Sequence, residues 1–139
     1  MKACLIFTGE MKGRADDLHA QLEVEQHQVC MHEITQAVAL VIKLEDFSDP
    51  GVKKCIDGAE VVMFLIPDND LNMFGGLGQY AAIAGKRVVA VKVGEEIGKD
   101  LDSIADSLVG INSPEILKAL VEKVWEGKAI RRIGRIKCQ

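Results

Sequence analysis

The chain has 139 residues, 48% of them hydrophobic and 27% charged, which is the balance of one globular domain rather than of a disordered segment. Lysines and arginines number 17 against 21 acids, a formal net charge of −4, and aromatics are 4%, which excludes a chain-wide electrostatic grip on nucleic acid and a broad base-stacking platform. No apolar run approaches the roughly 20 residues that span a bilayer, so no membrane partner is expected. Met1 and Lys2 lead into a short apolar stretch without a small-residue cleavage site, so the start reads as a first strand of a cytoplasmic protein rather than a signal peptide.

Apolar runs alternate with helical segments, the pattern of a parallel α/β sheet. Lys2 to Thr8 is a continuous strand of the buried kind, closed by the short loop Gly9 to Gly13. Arg14 to about Gln26 carries a helical stripe of Ala15, Leu18 and Leu22, and Gln28 to Ile34 is a second strand. Thr35 to about Asp46 fits a helix, although its β-branched residues leave a strand open. Ser48-Asp49-Pro50-Gly51 is a turn, and Val52 to Gly58 a short helix. Glu60 to Ile66 is the central buried strand, followed by the polar loop Pro67 to Gly78. A helix over Leu77 to Ala84 ends at Gly85, and Lys86 to Val93 is the fourth strand. After a loop from Gly94 to Lys99, Asp100 to Ser107 is a short helix and Leu108 to Ile111 a short edge-like strand. Ser113-Pro114-Glu115 opens a last helix, with Ser as cap and Pro in the first turn, whose buried face is Ile116, Leu117, Leu120, Val121, Val124 and Trp125.

The sum is an α/β fold, a flavodoxin-like (Rossmann-like) three-layer sandwich with a mainly parallel sheet of four or five strands. Residues 1–126 form one α/β nucleotide-binding domain and residues 127–139 a basic C-terminal tail. In such sheets ligands bind beyond the carboxyl ends of the strands, near the switch in strand order. Two loops leave strand ends there. Pro67 to Gly78 holds Asp68, Asn69, Asp70, Asn72, Phe74, Gly75, Gly76 and Gly78. Its glycines, at a helix start, let a ligand approach backbone N–H groups, and its polar side chains can bond hydroxyls or a base edge. The alternative is an exposed turn in which Asp and Asn satisfy the local backbone. The first loop brings Gly9, Glu10, Lys12 and Arg14 to the start of the first helix, where Lys12 or Arg14 could face a phosphate. It matches neither the P-loop nor the dinucleotide fingerprint. Phe64, Phe74 and Tyr80 fall within 17 residues and are enough to line a pocket for one base.

The segments "IFTGEMKGR", "CIDGAEVVMFLIPDND" and "GGLGQYAAIAGKRVVAV", within residues 2–93, resemble the nucleoside 2-deoxyribosyltransferase-like group and the related TIR-like nucleotide-processing domains. The resemblance implies cleavage or transfer at the N-glycosidic bond of a nucleoside, a nucleotide or NAD, hence a hydrolase or transferase, with a Glu near the start of the small-residue helix carrying the chemistry. This sequence departs from that pattern at the expected acid, where Leu77 stands, with Gln79 the nearest isostere. Gln lacks the charge of a nucleophile or of a partner to an oxocarbenium-like centre. Three alternatives follow: a relative that has lost its acid, a chain in which Asp68, Asp70 or Glu10 has taken over, or one in which Gln79 replaces a native Glu. The expected function is therefore nucleoside or nucleotide binding, with N-glycosidic cleavage or transfer through Gln79, Asp68 or Asp70; the alternative is a non-catalytic ligand-sensing or scaffold domain. A flavodoxin-like redox carrier is disfavoured by the lack of aromatics and Ser/Thr near the first loop.

Neither a cofactor nor a metal is called for: Cys4, Cys30, Cys55 and Cys138 form no C-x-x-C and have no His at ligand spacing. Cys4 and Cys30 read as buried small hydrophobes, and His19, His27 and His32 as structural. Lys128, Arg131, Arg132, Arg135 and Lys137 give the tail five positive charges, leaving residues 1–126 with 12 bases against 21 acids, a net −9. Interleaved with Ile130, Ile133 and Ile136, the tail suits a solvated surface or a contact in a homo-oligomer, and is the one place nucleic acid could bind.

Overall fold

The structure is a computed structural model that describes residues 1–34, 50–66, 75–92 and 104–126. Its sheet has five strands: β1 (Lys2–Thr8), β2 (Gln28–Ile34), β3 (Val61–Ile66), β4 (Arg87–Lys92) and β5 (Ser107–Gly110). All neighbours are parallel, in the order β2-β1-β3-β4-β5. This is the flavodoxin-like fold expected from the sequence, with its switch in strand order between β1 and β3. The expected bounds of β1 and β2 are those observed, and β3, β4 and β5 lie within one residue of expectation. The expected element over Thr35 to Asp46, the polar loop from Pro67 to Phe74, the loop from Gly94 to Lys99, the start of the Asp100 helix and the tail lie outside the described residues.

Burial explains why the central strands read so clearly. Both faces of β3 are covered, so Val61 to Ile66 is buried at every position and the sequence has no polar alternation there. Even-numbered Cys4, Ile6, Val62, Phe64 and Ile66 enter one core layer, with Val52, Cys55 and Ile56 of α2 (Pro50–Asp57) and with Leu77 and Ala81 of α3 (Gly75–Ile83). Odd-numbered Ala3, Leu5, Phe7, Met63 and Leu65 enter the other, against Ala15, Leu18 and Leu22 of α1 (Lys12–Val24) and Ile116, Ala119 and Leu120 around the short helix α4 (Ile116–Ala119). The period of two along each strand thus sorts the crossovers onto two faces.

The end of the chain differs from expectation. The last helix stops at Ala119, Val121 is 60% exposed, and Trp125 forms a parallel bridge with Leu108. The outer edge of β5 would otherwise leave backbone groups without partners. Instead Leu108 N donates to Val124 O (2.8 Å) and Leu108 O accepts from Glu126 N (2.8 Å). Ser107, fully buried, ties the same segment down: its hydroxyl accepts from Val124 N (3.0 Å) and Arg87 Nη2 (3.3 Å) and donates to Glu122 O (3.1 Å). The helical spacing of Leu120, Val121 and Val124 therefore misleads, because pairing the sheet edge outweighs extending a helix.

The cysteines also differ. Cys4 is buried as expected, but it is joined in a disulfide to Cys55, which ties β1 to α2. Cys30 is exposed rather than buried, because β2 is an edge strand.

Candidate functional site

The carboxyl ends of the strands gather the polar groups that the fold leaves near its switch point. β1 runs into a single 3-10 turn, Gly9–Met11, before α1 begins at Lys12. Thr8 is buried and its hydroxyl reaches Glu10 Oε1 at 3.5 Å, a long contact. The strand end of β2 brings Glu33 alongside: a Cβ at Gly9 would stand 2.9 Å from Glu33 Oε2. Gly9 is thus held by close approach of a neighbouring carboxylate, a demand a larger residue would meet only by moving Glu33.

On the other side of the edge, Glu126 spans the end of β5. Its Oε1 accepts from Gly110 N (2.9 Å) and its Oε2 from Ser113 Oγ (2.6 Å), while Ser113 Oγ also accepts from Glu115 N (3.0 Å). Ser113 therefore caps the turn as the sequence suggests, although the regular helix begins only at Ile116. A shallow cleft of about 310 Å3 lies here, lined by Lys92, Gly110, Asn112, Ser113 and Glu126. A second, of about 360 Å3, separates α1 from the Ile111–Pro114 turn and is lined by Arg14, Asp17 and Gln21.

The residues expected to bind or act fall into four groups. Gly9, Glu10, Lys12 and Arg14 are together at the β1 exit and the start of α1, all four exposed. Gly75, Gly76 and Gly78 open α3; Gly78 is buried and Gln79 exposed. Asp68, Asn69, Asp70, Asn72 and Phe74 lie outside the described residues. Tyr80 is engaged elsewhere: its hydroxyl donates to Asp57 Oδ1 (2.5 Å), at the end of α2 that precedes β3.

Asp57 is the centre of a clip that sequence reasoning missed, because its members are 23 and 29 residues apart. Lys53 Nζ donates to Asp57 Oδ2 (2.8 Å), Tyr80 to Oδ1, and Lys86 Nζ to the Asp57 carbonyl (3.1 Å). The Lys53 and Tyr80 hydrogen bonds hold the Asp57 carboxyl below its ordinary range. The hydrogen bond to Asp57 pushes Tyr80 up, and the same partner pushes Lys53 up. The only sequence signal was the i, i+4 spacing of Lys53 and Asp57. Among the described residues, no group of three or more His, Cys, Asp or Glu side chains could hold a metal ion.

No family model matches the chain, and no curated protein matches it. Among solved structures, it is similar to the N-terminal domain of a response regulator/sensory box/GGDEF three-domain protein from Carboxydothermus hydrogenoformans, with a TM-score of 0.50, 15% identity, and 98% of this chain and 99% of that chain covered. It is also similar to response regulator protein TrrA from Thermotoga maritima in complex with Mg(2+)-BeF, with a TM-score of 0.43, 13% identity, and 99% and 98% covered. At such identity the first likeness establishes the fold.

The first likeness corrects the resemblance to nucleoside 2-deoxyribosyltransferase-like and TIR-like proteins, and with it the expected nucleotide binding, N-glycosidic cleavage, and hydrolase or transferase activity. The segment that suggested it, "GQYAAIAGKRVVAV", has a packing explanation. Leu77, Gly78 and Ala81 are buried on the inward side of α3, Gly85 takes φ +80 to end the helix, and Val88 to Val91 are buried in β4. Packing α3 on the buried strands accounts for that pattern, so it reports architecture rather than chemistry.

Proposed function

We propose that the chain is a non-catalytic signalling-type domain that acts by docking to protein, with the carboxyl ends of its strands as the face where its state is sensed. The observation that carries this reading is the use of polar groups at that edge. Glu126 serves Gly110 N and Ser113 Oγ, and Ser113 serves Glu115 N, so both oxygens of this acid are committed to holding the turn after β5. A general acid or nucleophile needs its oxygens aimed at a reacting atom. The likeness to the N-terminal domain of a response regulator over nearly the full length of both chains supports a sensing module rather than a substrate-converting one.

The test joins turnover to association. The purified chain is incubated with NAD, nucleosides and nucleoside monophosphates, and chromatography is expected to recover them without free base. Sedimentation velocity over a wide concentration range is expected to show reversible association of the chain with itself, the one protein partner available without further identification. Sustained base release would overturn the non-catalytic reading. A monomer at every concentration would remove self-association as the docking mode.

A further inference from the structure

The sulfur chemistry lies on the face away from α1, at the opposite strand end from the sensing edge. Cys4 on β1 and Cys30 on β2 are register partners in the parallel ladder, so their side chains leave the sheet on the same side. Their strands are about 4.8 Å apart. Cys55 of α2 sits over both: it is bonded to Cys4, and its Sγ lies 3.2 Å from the Cys30 carbonyl oxygen. That approach is a close contact when Cys55 is in the disulfide and a thiol hydrogen bond when it is reduced, so the helix can rest in one place in both states. Cys4 is 0% exposed and Cys55 5%, whereas Cys30 is an exposed free thiol. A small molecule therefore meets the Cys30 thiol far more readily than Cys55, which is nearly buried, and does not reach Cys4. Beside it is a cleft of about 400 Å3 between β2 and α2, lined by Lys2, Cys30, Gly51, Lys54, Cys55 and Gly58. Its glycines leave room along the helix, and its two lysines favour an anionic guest.

We propose that Cys30, Cys55 and Cys4 form a thiol–disulfide exchange relay, in which a carboxylate-bearing low-molecular-weight thiol or its disulfide, held in this cleft, opens and closes the buried Cys4–Cys55 bond. In the closing direction the Cys30 thiolate attacks the small disulfide, forming a mixed disulfide and releasing one small thiolate. Cys55 then attacks the Cys30 sulfur, forming Cys30–Cys55 and releasing the second small thiolate. Finally Cys4 attacks the Cys55 sulfur, forming Cys4–Cys55 and returning Cys30 as a thiolate. The net change is one small disulfide reduced to two thiols and one protein dithiol oxidised, with each thiolate taking or losing its proton to solvent. The opening direction is the reverse. This proposal does not depend on the signalling role.

The experiment uses the full chain with Cys138→Ser, so that the fourth cysteine takes no part. The protein is reduced, freed of reductant and mixed with oxidised glutathione, and samples are quenched with an alkylating agent for peptide mass mapping. Cys4–Cys55 is expected to form through a transient glutathione adduct on Cys30. Cys30→Ser and Cys30→Ala are each expected to slow its formation by about tenfold or more, as removal of the accessible nucleophile requires. An unchanged rate in both would overturn the relay, and circular dichroism shows whether each variant is folded. Replacing glutathione disulfide by neutral hydroxyethyl disulfide separates the cleft from the relay. Lys54→Ala is expected to slow the anionic disulfide and leave the neutral one unchanged, and an equal effect on both would overturn the anionic guest.

Discussion

Two helix ends in this chain use the same backbone device with different residues. After α3, Lys86 N donates to Ala81 O (3.0 Å) and Gly85 N to Ala82 O (3.1 Å), the paired bonds of a Schellman cap with Gly85 at φ +80. After α1, His27 N donates to Leu22 O (3.1 Å) and Gln26 N to Glu23 O (2.9 Å), but the left-handed position is Gln26, at φ 66. A Cβ at Gly85 would meet nothing within 4 Å, so only the backbone conformation resists a side chain there. Gly85→Ala is expected to destabilise by about 1 kcal/mol, and Gln26→Gly to stabilise by up to about 1 kcal/mol, both read by urea unfolding. Opposite signs at two caps of one geometry would separate the conformational effect from side-chain contacts. Ser107 makes a harsher case. Ser107→Ala removes the acceptor of Val124 N and Arg87 and the donor to Glu122 O at a fully buried site, so a loss of about 1–3 kcal/mol is expected in the same assay.

Between elements, the Lys53–Asp57–Tyr80 clip is the polar tie from α2 to α3, and its pH behaviour follows from the directions of its shifts. Asp57 is held below its ordinary range in the folded state. Its contribution is therefore complete above about pH 4 and is lost as pH falls through the depressed folded value. Tyr80 and Lys53 are raised, so theirs are complete below about pH 10 and are lost as pH rises through the raised values. Tyr80→Phe should lower the melting temperature by a similar small amount throughout pH 5 to 9, roughly. The gap to the unaltered chain should narrow in acid and again in alkali, and a gap independent of pH would show that Tyr80 contributes only by its ring packing. The strands and the helices α1 to α3 were legible because their causes are local. Buried parallel strands demand continuous apolar runs, and Gly85 announces its helix end. The clip and the Cys4–Cys55 bond were not legible, since their partners stand 23 and 51 residues apart and no spacing rule joins them. The small residues of α3 were legible but misassigned, because packing a helix on a sheet and shaping a pocket ask for the same residues.

At the scale of the molecule, the question is where the folded unit ends. Sequence periodicity carried the last helix to Trp125, whereas the chain past Ala119 turns back and pairs with β5. Across to β5 and the turn after it, residues 122–126 then make six hydrogen bonds among the described residues: two with Leu108, two with Ser107, and one each with Gly110 and Ser113. They close the exposed edge of the sheet and shape the rim of the proposed sensing face. A chain ending after Val121 should therefore lose roughly 3–6 kcal/mol, at up to about 1 kcal/mol per bond, because much of the exposed edge can be recovered by water. That is a large share of the roughly 5–15 kcal/mol that holds a domain together, so the midpoint of urea unfolding should fall steeply. A chain ending after Glu126 keeps every one of these bonds and loses five positive charges from an otherwise acidic body. In about 0.5 M salt, where attraction between tail and body is screened within a few ångströms, it should unfold at the same urea concentration as the full chain. In dilute buffer the full chain should be the more stable of the two, through attraction of the tail to the net −9 body. A loss at high salt as large as that from ending after Val121 would place part of the fold beyond Glu126 and overturn the division at that residue.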